Sequence, residues 1–319
     1  MTGTAAVTGA TGFVGQHVVA ALAASGWRLR LLVRRDPRLH IGPDRVDLVP
    51  GGLGDHAALD SLVSGADVVI HVAGAVRARG AADFDRVNRD GTEALARAMV
   101  RHAPRAPLVM VSSLAARAPE TSAYAASKAA GEAAAQAILP GGRVCVLRPA
   151  AVYGPGDAAT LGLFRAATGP IQPVLNGAEA RVALIHVRDV AAAVAAMAAR
   201  PAPGVFTLSD ARREGYSWPE ITAAACAAAE RRPRAVRVPA WALRLAGRFG
   251  DAAAAVLPVP PMLTSGKAAE ILHPDWAVAE ERTLPGGAWA PRIELDEGFA
   301  ETLAWYRDNG WLRARVSGR

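Results

Sequence analysis

Short apolar runs alternate with amphipathic helical patterns through the first half of the chain. Strands are expected at Thr4–Thr8, Arg28–Val33, Val46–Val49, Val68–Val72, Leu108–Ser112 and Arg143–Arg148. Between them, Gly15–Ser25 (closed by Gly26), Gly91–His102 and Tyr124–Ile138 carry helical spacing. Near-continuous apolar strands, each set off by turns and followed by helices, predict a parallel sheet covered on both faces. Such a sheet binds ligands beyond the carboxyl ends of its strands, at the point where strand order reverses.

After about Pro149 helices dominate, at Ala158–Ala167, Asp189–Ala199, Ser217–Glu230, Pro239–Val256 and Leu295–Asn309. The third opens with Ser217-Trp-Pro-Glu220, a capping box with proline in the first turn. Proline is dense from Pro201 to Pro291, as suits a smaller, irregular domain around a cleft. The division expected is residues 1–155 for a dinucleotide domain and 156–319 mostly for a substrate domain. Part of 180–210 is expected to complete the sheet.

Chemistry enters at the first turn. Thr8-Gly9-Ala10-Thr11-Gly12-Phe13-Val14-Gly15 lies between the first strand and the first helix. Gly9 permits the tight turn, Gly12 lets backbone approach a pyrophosphate, and Gly15 lets helix and strand pack closely. The helix N-terminus then offers free N–H groups to the anion. At the end of the second strand, where a carboxylate would grip the ribose of NAD, stand Arg34 and Arg35. Guanidinium groups there suit a 2′-phosphate, so NADP(H) is favoured and NAD(H) is the alternative. Asp36, next in the chain, is the competing ribose ligand.

Composition sharpens a second motif. The 319 residues hold two lysines and 34 arginines, and Lys128 stands four positions after Tyr124. Chance gives that spacing about one time in forty, so the pair alone is only suggestive. On a helix it places an ammonium beside a phenol, a proton-donating arrangement. Val111-Ser112-Ser113 ends the fifth strand shortly before it, where a hydroxyl can share the oxygen that the phenol protonates.

Other classes recede. The net charge of +7 is scattered and lacks interleaved aromatics, which argues against nucleic-acid binding. Cys145 and Cys226 are too few and too isolated for a disulfide framework or a thiolate metal site. No metal is expected, and a cytoplasmic location follows from the cysteine usage. No apolar run reaches about 18 residues, so no membrane span is expected, and the first apolar segment lacks the basic leader of a signal peptide.

Taken in order, these motifs resemble the extended short-chain dehydrogenase/reductase family of NAD(P)-dependent epimerases, dehydratases and 3β-hydroxysteroid-type dehydrogenases. The resemblance runs through Thr8–Gly15, His71-Val-Ala73-Gly74, Asn88-Arg-Asp-Gly91-Thr92, Val111–Ser113, Tyr124–Lys128, Arg148–Asp157 and His186-Val-Arg-Asp189-Val190. It implies an α/β fold, a Rossmann doubly wound parallel sheet with a smaller, mainly helical C-terminal substrate domain. It implies Tyr124 as general acid/base, Lys128 lowering its pKa and binding the nicotinamide ribose, and Ser113 (or Ser112) orienting a carbonyl. The cofactor-binding set implied is Gly9, Thr11, Gly12, Phe13, Val14, Gly15, Arg34, Arg35, Leu53, Ala73, Gly74, Tyr124, Lys128, Pro149 and Val152. His71 and His186 are expected to be structural, and Asp189 to cap the helix after it.

Departures narrow the reaction. Gly51-Gly52-Leu53 lacks the aspartate often found near the adenine in this family. Leu114 and Ala115 stand where sugar-nucleotide dehydratases carry an acidic pair. Val182, beside Arg181, stands where nucleotide-sugar epimerases carry a diphosphate-binding arginine. Hydride transfer between a ketone and a secondary alcohol remains, with epimerisation and a non-catalytic cofactor-binding subunit as alternatives. In the Pro239–Val256 helix, Trp241, Leu245, Phe249 and Val256 fall near one stripe, with Arg237, Arg244 and Arg248 towards another side. That helix either packs on its own domain, contacts a membrane surface or lines the access to a lipid ketone. A hydrophobic or lipid-like oxo substrate is expected, in a homodimer or a monomer.

Overall fold

The computed structural model describes residues 3–35, 45–175, 180–257, 259–278 and 282–312. Its first half runs β1 (Thr4–Thr8), α1 (Phe13–Ala24), β2 (Arg28–Val33), β3 (Val46–Pro50), α2 (His56–Val63) and β4 (Val68–His71). It continues through α3 (Ala81–Asp85), a π-helical turn (Arg86–Asp90), α4 (Gly91–His102), β5 (Leu108–Val111), α5 (Ala123–Ile138) and β6 (Val144–Pro149). The second half holds β7 (Ala151–Tyr153), α6 (Leu161–Thr168), β8 (Ile171–Leu175), β9 (Arg181–Val182), β10 (Leu184–His186) and α7 (Val187–Ala199). Then come β11 (Gly204–Leu208), α8 (Trp218–Ala229), β12 (Arg234–Val238), α9 (Ala240–Val256), α10 (Ser265–Leu272), β13 (Asp275–Trp276) and α11 (Leu295–Asp308).

Seven parallel strands form the central sheet in the order β11-β6-β5-β4-β1-β2-β3. Strand order reverses across the parallel pair β1 and β4, where Thr8 sits in register with His71. The carboxyl ends of these two strands therefore frame the crevice that the strand–helix alternation predicts. Each face of the sheet has its own apolar core. Val18, Leu22, Val190 and Val194 of α1 and α7 cover one face, and Leu59, Leu95, Met99 and Ala135 of α2, α4 and α5 cover the other.

A third core holds the C-terminal elements together. Tyr153, Phe164 and Phe299 pack edge-to-face, with ring centroids 5.0 and 5.1 Å apart, and Tyr306 joins them. Edge-to-face geometry sets the positive ring edge against the negative face, adding to the gain from burying these rings. The expected capping box at Ser217 is present, with Glu220 answering the Ser217 N–H. Among the described residues, no helix is long and apolar enough to cross a membrane.

Asp189 departs from the expectation. His186, not Asp189, caps α7, its Nδ1 accepting from the Arg188 N–H. The buried Asp189 carboxylate instead accepts from the Arg292 and Ile293 N–H groups at 3.1 and 3.0 Å. It clamps the segment leading into α11 against α7, a partnership across 103 residues of chain.

Candidate active site

The glycine loop is built by exclusion. Gly9 has a φ of +76°, and a Cβ there would stand 2.4 Å from the Ala73 nitrogen. A Cβ on Gly15 would stand 1.9 Å from the Gly9 carbonyl oxygen, so strand, turn and helix close only without side chains there. Gly12, the N-cap of α1, supplies no side chain to cap the first turn. The first N–H groups of α1 thus point into the crevice unanswered by any side-chain cap, with the helix dipole behind them, which fits a dinucleotide pyrophosphate. Thr11, Phe13 and Val14 lie on this loop and helix start.

The far rim of the cradle is held by a buried hydrogen-bond chain. The Ala73 N–H donates to Thr8 Oγ1, which donates to His71 Nδ1 at 2.7 Å. His71 Nε2–H donates to Thr92 Oγ1 at 2.9 Å, and Thr92 donates to the Asn88 carbonyl. Burial, aided by the Lys128 charge, pushes the His71 pKa down to about 3, so the ring is neutral and its tautomer is set by this chain. Asn88, in the π-helical turn, holds Ala75 with both ends of its amide and donates to Ser127 on α5. His71 and Asn88 therefore fix Ala73 and Gly74 relative to the helix that carries Tyr124.

Ser122 caps that helix, accepting from the Ala125 N–H. One turn of α5 separates Tyr124 from Lys128, which is buried and donates from Nζ to the Val111 carbonyl at 3.0 Å. A Cβ on Gly74 would reach within 3.4 Å of the same Nζ. Lys128 and Gly74 thus adjoin. Ser113, two residues past β5, has its hydroxyl near enough to the Tyr124 phenol to draw its pKa down. Ser112, the neighbouring hydroxyl, points the other way and donates to Glu132, which also takes three bonds from Arg148 at 2.6, 3.0 and 3.2 Å. Successive residues of a strand face opposite sides, so only one serine can reach the phenol.

The phenol does not titrate low here. Burial pushes the Tyr124 pKa up to about 12, against the pull of the Ser113 hydrogen bond, and the Glu270 carboxylate pushes the same way as burial. Lys128 is itself driven down to about 8 by burial, with Glu132 opposing. Burial of the phenol sets the direction of its shift. The resting group is a protonated phenol.

Other expected residues fall around the same crevice. Pro149 is buried at the end of β6, and Val152 lies on β7 beside Ile185. Leu53 packs its side chain against Gly91 at the start of α4. Arg34 and Arg35 are exposed past β2, and the Arg34 stem lies 3.8 Å from the position of a Gly52 Cβ. Asp36 lies outside the described residues. Leu114 and Ala115 are buried in a 3₁₀ turn after Ser113, and Val182 is buried in β9. Glu132 and Glu270 escaped the sequence reading. Glu132 falls four residues after Lys128, at the same helical spacing as Tyr124 and Lys128.

Residues 5–208 match the NAD dependent epimerase/dehydratase family model. The chain is 47% identical over 317 residues to the ceramide reductase of Caulobacter vibrioides, covering 98% of each protein. It superposes on the Bordetella bronchiseptica enzyme WbmH, solved with NAD+, at TM-score 0.71 and 18% identity, covering 97% of this chain and 100% of that one. The dTDP-glucose 4,6-dehydratase DesIV of Streptomyces venezuelae, solved with NAD and DAU bound, gives TM-score 0.69 at 20% identity, covering 97% and 98%. Those structural likenesses show the fold. The chain belongs to the NAD dependent epimerase/dehydratase family, as an NAD(P)-dependent oxidoreductase of the extended short-chain dehydrogenase/reductase type.

Proposed function

We propose that the chain reduces a ketone on a hydrophobic, ceramide-like lipid to the secondary alcohol, using NADPH. The observation that carries this is the Ser113–Tyr124–Lys128 cluster beside Gly74, with the phenol protonated and ready to give its proton. The bound dinucleotide supplies the hydride. Ser113 orients the carbonyl oxygen, and Tyr124 transfers its phenolic proton to that oxygen as the carbon is reduced. Lys128, fixed by Val111, faces the Gly74 rim where the nicotinamide ribose would rest and returns positive charge to the phenolate left behind. Glu132 and Arg148 position α5 against β6 and take no part in proton transfer.

Support for the substrate class comes from two directions. The positions that would serve sugar-nucleotide dehydration or diphosphate binding are the buried, apolar Leu114, Ala115 and Val182. A relative of near-equal length, 47% identical, is a ceramide reductase. Ceramide is an N-acyl long-chain amino alcohol, so its redox partner at the carbinol is the corresponding amino ketone. Arg34 and Arg35, with Arg34 lying over Gly52, support a 2′-phosphate and hence NADPH.

The test is turnover of a ketone panel, N-acyl amino ketones and steroid ketones included, with the product identified by mass spectrometry. Wild type yields the alcohol and Tyr124→Phe yields almost none. Equal background rates for both proteins on every ketone would end the enzymatic reading. Thermal stabilisation by UDP alone would move the substrate to the nucleotide-sugar class.

A further inference from the structure

The outer face of α9 is apolar where a solvated helix would be polar. Its inner face packs on α10 through small residues. A Cβ on Gly247 would stand 2.9 Å from the Thr264 carbonyl oxygen, and one on Gly250 would stand 1.8 Å from that of Leu263. Trp241 and Phe249 point outward, 66% and 69% exposed, with Leu245 and Val256 beside them. At about 100° per residue these four fall within roughly 80° of arc. Arg244 and Arg248, both exposed, border the stripe on one side. Leu257 and Val259 extend it past the helix end. Half of the twelve large apolar side chains exposed among the described residues lie in this one stretch. A contiguous patch of this kind marks an interaction surface.

Charge selects the occupant. Residues 231–259 contain six arginines and a single acidic residue, Asp251. That exposed carboxylate is engaged by Ser265, accepting from its N–H at 3.1 Å and from its hydroxyl. A second copy of the same face would set six arginines against six, with only the Ser265-bonded Asp251 on each side to answer them. An anionic bilayer answers both features at once: acyl chains take the indole and phenyl rings, and lipid phosphates take the guanidinium groups, whose stems cover the edge of the stripe.

We infer that α9 lies in the plane of an anionic membrane surface, with Trp241, Leu245, Phe249 and Val256 inserted at the headgroup boundary and Arg244 and Arg248 bound to lipid phosphates. The placement brings the bilayer within one helix of the reacting groups. Beneath α9, α10 reaches the catalytic helix, where Glu270 accepts from the Ser122 hydroxyl at 2.6 Å, two residues before Tyr124. A lipid substrate would leave the membrane next to the site. The inference goes beyond the redox reading and does not depend on it, since its test reads binding rather than turnover.

The full chain is sedimented with phosphatidylcholine vesicles containing about one-third phosphatidylglycerol, and with pure phosphatidylcholine vesicles. Binding to the anionic vesicles is expected, with little to the neutral ones, and falling as salt shortens the Debye length. R244Q/R248Q should weaken binding roughly fivefold per arginine, and W241S/F249S should abolish it while circular dichroism and thermal unfolding stay as in wild type. Equal binding to both vesicle types, or none, overturns the inference on wild type alone, whether or not the variants fold. Light scattering that shows a wild-type dimer broken to monomer by W241S/F249S, without vesicle binding, would assign the face to self-association instead.

Discussion

Lys128→Met should trade activity for stability, and its pH dependence follows from burial. The Lys128 ammonium is buried and its pKa falls from 10.5 to about 8. Keeping it charged in the folded protein at pH 7 therefore costs about 3 kcal/mol relative to the unfolded chain. Methionine removes that cost but leaves the Val111 carbonyl without its 3.0 Å donor, worth about 1–3 kcal/mol in a buried place. The variant should be as stable as wild type at pH 7 or up to about 2 kcal/mol more stable, while losing most ketone reduction. The sign with pH is fixed. Between pH 8 and 10.5 the unfolded lysine holds its proton and the folded one does not, so wild-type stability rises with pH and the methionine does not follow. Urea unfolding at pH 7 and pH 9.5, with no dinucleotide added, should show the difference between the proteins move by about 2 kcal/mol in favour of wild type. A difference that stays constant across that range would refute a buried, charge-bearing Lys128.

Tyr124→Phe should lower kcat for reduction by about 10²–10⁴-fold with little change in thermal unfolding. Ser113→Ala should lower kcat/KM sharply, whereas Ser112→Ala should act on stability, because its hydroxyl serves Glu132; the reverse pattern in paired kinetics and melting curves would exchange the two serines. Reduction should hold to about pH 8 and decline above it as Lys128 loses its proton, well before the phenol at about 12, and a profile flat to pH 10 would remove the lysine charge from the mechanism. Arg34→Ala should shift the affinity ratio of NADPH to NADH towards NADH, measured by fluorescence titration; an unchanged ratio would discard Arg34 as the phosphate ligand.

The sequence carried the dinucleotide half because its signals are local. Glycine sterics at Gly9 and Gly15, strand runs bounded by turns, and the i, i+4 spacing of Tyr124 and Lys128 each act within a few residues. The six expected strands of the first half all form, with ends displaced by no more than a residue. What the sequence hid depends on distant partners. Ser112 and Ser113 are indistinguishable until Glu132 and Arg148 claim one of them. Asp189 reads as a cap because a carboxylate in the first turn of a helix normally is one, and its true partners lie at Arg292 and Ile293. The strands Arg181–Val182 and Asp275–Trp276 are too short to carry a period, and the eight-residue α10 is too short for a decisive one. Glu270 stayed invisible for the same reason, since its bond to Ser122 spans 148 residues.

Isotope transfer separates net ketone reduction from epimerisation. With NADPH deuterated at the transferable nicotinamide position and an N-acyl long-chain amino ketone as substrate, wild type should form an alcohol carrying one deuterium on the new carbinol carbon, and Tyr124→Phe should not. Conversion of a nucleotide sugar to its epimer with no net deuterium gained, and no label in any ketone offered, would contradict net ketone reduction.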